Sequence, residues 1–81
     1  MRLNELLNEV NALRLTSDDC ITVRVINKDG TNKYFDNWGC LIKKDITNYF
    51  TDNTVDYKLT CYSYMNHGAY RTPTQLQVNI F

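Results

Sequence analysis

Leu3, Leu6, Leu7, Val10 and Leu13 recur at three- and four-residue spacing, with Glu5, Asn8, Glu9 and Asn11 between them. The spacing predicts an amphipathic helix over roughly residues 2–14. A polar stretch, Thr16-Ser17-Asp18-Asp19, ends it. Ile21, Val23 and Val25 then alternate with Thr22 and Arg24, the signature of a strand with one buried face. Asn27-Lys28-Asp29-Gly30 reads as a tight turn, because Gly30 can take a positive φ, and Thr31 to Asp36 should return antiparallel.

Asn37-Trp38-Gly39 breaks the alternation, and Leu41, Ile42, Ile46, Tyr49 and Phe50 can share one side of a helix over about residues 41–50. Cys40-Leu41-Ile42 could instead continue a strand. From Val55 to Met65 the pattern is again period two. Val55, Tyr57, Leu59, Cys61, Ser63 and Met65 fall on one face, and Asp56, Lys58, Thr60, Tyr62 and Tyr64 on the other. Asn66-His67-Gly68 reads as a hairpin turn, followed by a strand from Ala69 to Phe81. Pro73 should mark a bulge, a strand start or an edge, since it cannot donate to a ladder. The expected fold is a single α+β domain over residues 1–81 in the order α-β-β-α-β-β, an antiparallel sheet with both helices on its apolar face. The strand from Thr74 to Phe81 is expected at an edge, where it could pair with its copy in a homodimer or add to a partner's sheet.

With 81 residues the chain buries only about 60–65% of its unfolded surface, leaving little room for an enclosed active site. Nine Lys and Arg balance nine Asp and Glu. Neutrality gives no bulk attraction to phosphate and speaks against a general nucleic-acid binder. No apolar run approaches a membrane span, and the early acid Glu5 does not fit a signal peptide. Cys20, Cys40 and Cys61 are odd in number and widely spaced, as expected of reduced thiols in a cytosol.

Catalytic chemistry finds no foothold in this pattern. His67 is the single histidine, with no nucleophile or acid at a telling spacing, and reads as an exposed turn residue. Cys20, Cys40, Cys61 and His67 lack the close ligand pairs of a structural zinc site. Neither a cofactor nor a metal is expected. Trp38 reads more readily as a core plug than as an exposed anchor for a partner. The tyrosines weigh most. Tyr62 and Tyr64 share the polar strand face with Lys58, and Tyr70 and Arg71 lie just across the hairpin. Tyr and Arg are enriched at binding hot spots. These five residues are the candidate partner-binding surface, with cross-strand tyrosine pairs covering the outer sheet as the plain structural alternative.

The segment Met1-Arg2-Leu3-Asn4-Glu5-Leu6-Leu7-Asn8-Glu9-Val10, followed by Val23-Arg24-Val25-Ile26-Asn27-Lys28-Asp29-Gly30, resembles the opening helix and first hairpin of small phage-encoded anti-CRISPR proteins that inhibit the type II effector nuclease. The likeness covers about the first 35 residues. The resemblance implies stoichiometric, non-catalytic inhibition of a bacterial defence protein in the host cytoplasm, with a CRISPR effector nuclease as the leading partner. The second half departs from the pattern. Those relatives imitate DNA phosphates with many acids, whereas Val55 to Phe81 is rich in Tyr, Thr and Gln. The resemblance therefore assigns no inhibitory residue here, and docking by shape would replace charge mimicry. A small nucleic-acid-binding accessory protein, stacking bases on the same aromatic face, is the alternative.

Overall fold

In a computed structural model covering residues 1–81, the chain forms α1 (Leu3–Ala12), β1 (Cys20–Ile26), β2 (Asn32–Trp38), α2 (Gly39–Tyr49), β3 (Tyr57–His67) and β4 (Tyr70–Ile80). Leu6 and Val10 of α1 and Ile42 and Ile46 of α2 are wholly buried. They press on Ile21, Val23 and Val25 of β1 and on Leu76 and Val78 of β4, with Tyr57 and Phe50 closing the same core. Period 3.6 on the helices and period 2 on the strands thus supply one apolar layer between them. Leu41 departs from its expected role, being exposed on α2.

The strand order is β2-β1-β4-β3. Both hairpins are antiparallel, but the pair that joins them, β1 with β4, is parallel, so the sheet is mixed. The two strands with the most completely buried apolar rows occupy the centre. Lys58 and the long β3 strand go to one edge, where a charged side chain discourages pairing. This corrects the expectation of an edge at Thr74–Phe81. From Gln75 to Asn79 β4 is hydrogen-bonded on both sides, so this stretch offers no free edge for a homodimer. Pro73 turns the position of its missing N–H toward β3, opposite Tyr64, where the ladder is already interrupted beside the left-handed Ser63.

Local chemistry fixes the turns. Gly30 stands at φ +86° between β1 and β2, and the Asp29 carboxylate accepts the Thr31 N–H at 3.0 Å and hydroxyl at 2.6 Å. These bonds hold the Asp29 carboxyl below its ordinary pKa. Before α2, the Asn37 carboxamide accepts the Trp38 N–H at 2.9 Å and donates to Asp45 at 2.7 Å, turning the chain from strand into helix. No helix is long and apolar enough to cross a membrane.

Candidate partner-binding surface

Both helices lie on one side of the sheet, so alternation leaves the other side uncovered. Strand register lays its side chains in rows running from β2 to β3. One is Asn32–Ile26–Asn79–Lys58, the next Tyr34–Arg24–Gln77–Thr60, the third Asp36–Thr22–Gln75–Tyr62, and Trp38 beside Cys20 closes the face. Thr22, Gln75, Gln77 and Asn79 hold most of the middle, with Arg24 and Ile26 beside them on β1. The aromatics stand on the two outer strands, with Tyr34 58% exposed, Trp38 54% and Tyr62 42%. The Arg24 guanidinium lies 5.9 Å above the Tyr34 ring and donates to the Asn32 carboxamide at 3.4 Å. The cation is thereby engaged within the face, and the ring is held in place.

Trp38 is thus an exposed aromatic and not the core plug its place in the sequence suggests. It sits at the mouth of a shallow groove with Ser17, Asp18 and Cys40. Tyr34, Arg24 and Gln75 were not singled out from the sequence. The alternation of β2 was the available signal, but it does not say which strand of a sheet becomes an edge.

Four of the five residues expected to act together share the alternation of the uncovered face, and Tyr70 falls on the other side. Lys58 and Tyr62 lie on the uncovered face. Tyr64 and, across the hairpin, Arg71 keep the register of Tyr62, although the strand is irregular between them. Ser63 adopts φ +52°, the left-handed region, the ladder is interrupted between Tyr62–Gln75 and Tyr64–Pro73, and the Thr74 hydroxyl donates to the Ser63 carbonyl. On the core-packed side of the strand stands the Cys61 thiol. Burial pushes that thiol's pKa up, the Glu9 carboxylate adds to the effect, and Tyr64 works against it. Arg71 covers the Tyr64 ring at 4.5 Å. Tyr70 lies further out, stacked on His67 at 5.7 Å between ring centroids, with Arg14 at 4.8 Å from its ring centroid.

His67 is the last residue of β3 and is not an exposed turn residue. Its Nε2 lies 2.8 Å from the Asp19 carboxylate, with the imidazole side chain 26% exposed. Asp19 also accepts a 3.5 Å bond from the Thr72 hydroxyl. The contact ties the hairpin tip to the loop before β1. Asp19 and His67 are 48 residues apart, which is why no spacing motif announced them. No group of three or more His, Cys, Asp or Glu residues is placed to hold a metal ion.

Comparison of the chain with family models, with curated proteins and with solved structures finds no match.

Proposed function

We propose that this protein is a stoichiometric, non-catalytic inhibitor that docks its uncovered sheet face on a bacterial defence protein, with a CRISPR effector nuclease as the leading target. The observation that carries this reading is the uncovered face itself. Tyr34, Trp38 and Tyr62 stand exposed around a centre of Thr and Gln side chains. Rigid aromatics on a strand scaffold lose little conformational freedom on binding, and such residues dominate interface energetics. The choice of target class rests on the resemblance of the first helix and hairpin to anti-CRISPR proteins.

The same face could stack single-stranded bases, but its charges favour a protein. Arg24 is engaged with Tyr34 and Asn32, Asp36 lies in the neighbouring row, and Lys58 stands alone at the far edge. Base-stacking proteins surround their aromatics with a cationic groove.

The test is titration of the purified protein into a type II effector nuclease charged with guide RNA, reading DNA cleavage and co-elution. Inhibition should be complete near equimolar protein and change little with moderate salt. Trp38→Ala with Tyr62→Ala should weaken binding by about 2 kcal/mol or more, roughly thirtyfold, with the fold intact by circular dichroism. Binding to single-stranded nucleic acid that falls steeply with salt would select the accessory-protein reading instead. Unchanged inhibition by the double variant would remove the face from the mechanism.

A further inference from the structure

The two edges of the sheet are unlike. On β3 the outward groups of Tyr57 are occupied, since its N–H donates to the Met1 carbonyl and its carbonyl accepts from the Met1 nitrogen, both at 2.7 Å. Further along, the left-handed Ser63 breaks the line of the strand. β2 has no such guard. It is seven residues of regular strand without Pro or Gly. The Asn27 N–H donates to the Thr31 carbonyl at 2.9 Å at the mouth of the hairpin, and an antiparallel ladder alternates inward and outward groups from there. Lys33 and Phe35 therefore bond to β1, while the N–H and C=O of Asn32, Tyr34 and Asp36 point away from the sheet. Consistent with this phase, the Trp38 N–H is free to take the Asn37 side chain as its acceptor. The one lysine that could guard the edge is turned inward, its Nζ 5.3 Å from the Tyr49 ring centroid on α2.

We propose that the β2 edge pairs with β2 of a second copy, antiparallel about a two-fold axis through Phe35, to give one continuous sheet of twice four strands. This register sets Tyr34 opposite Asp36 of the second copy, and Asp36 opposite its Tyr34. The outward donors and acceptors of both residues are satisfied, and each phenol comes beside a carboxylate. Phe35 meets its own copy on the helix-covered side. The chain's zero net charge offers no repulsion between copies. Because the β3 edge is blunted, pairing closes at two copies and does not extend into a fibre. One strand pair lies at the small end of stable interfaces, so the dimer should depend on concentration.

Sedimentation velocity over a concentration series tests this directly. Wild type should pass reversibly from monomer to dimer. Asp36→Pro removes an outward N–H that has no partner within the chain, so it should weaken dimerisation at least about tenfold while circular dichroism is retained. Tyr62→Ala, far from this edge, should dimerise as wild type does, which separates self-pairing from the docking proposed above. Hydrogen exchange of wild type adds a readout independent of variant folding, with the Tyr34 and Asp36 amides slowing as concentration rises. A wild type that stays monomeric at its highest soluble concentration would overturn the proposal, as would exchange at these two amides that ignores concentration.

Discussion

A side chain at residue 39 has nowhere to go. A Cβ built on Gly39 would stand 2.2 Å from the Thr16 carbonyl oxygen, which is backbone and cannot swing aside. The Gly39 N–H also donates to the Asp19 carbonyl at 2.9 Å, so the start of α2 is pinned against the loop that leads into β1. Gly39→Ala must push these segments apart, and a loss of about 2–3 kcal/mol is expected in urea denaturation. Gly30→Ala gives a contrasting control, since nothing lies within 4 Å of its Cβ position and its penalty comes from φ +86° alone.

Among the elements, the β3–β4 hairpin departs furthest from regularity. One register holds from Tyr57 to His67 but skips a pair at Ser63, whose φ of +52° a residue with a Cβ adopts at a cost. Two features keep it there. Pro73, opposite Tyr64, has no N–H to give the ladder, and the Thr74 hydroxyl holds the Ser63 carbonyl. Ser63→Gly should release the backbone strain and raise stability by about 0.5–1 kcal/mol in the same denaturation assay. Beyond the break the hairpin is held by His67 on Asp19 and by Arg14 on Tyr70.

At the scale of the whole molecule, two ionisable groups built into the packing set an alkaline limit. Cys61 is raised first by burial and then by Glu9, and Tyr57 first by burial and then by Asp52. Each keeps its proton longer in the folded chain than in the unfolded one. Between the ordinary and the raised pKa the native state therefore binds more protons, and stability falls as pH rises. The contribution is intact below the usual thiol range, about pH 8.5, and is lost above it, with the phenol adding its share above about pH 10. The urea midpoint should decline over this window. Cys61→Ala should flatten the first part of the decline, although removing the thiol lowers stability near neutrality.

Most of the elements were legible in the chain because their causes are local. The leucine spacing of α1, the alternation of β1, and the Asp-Gly turn each depend on a few neighbouring residues. Their order and the helices' placement on one apolar face followed from the same periodicities. Strand order did not, because it depends on which apolar rows fit best when all four compete for the centre. That competition drew β4 inward beside β1, left β2 as the open edge and exposed Trp38 and Tyr34. The candidate site divides likewise. Lys58, Tyr62 and Tyr64 could be placed by counting in twos, whereas the contact between His67 and Asp19 spans 48 residues. Sequence by itself determined which side chains seek the interior. Only the closed chain decided which strands meet, because contacts between distant segments form together and leave no mark at either end.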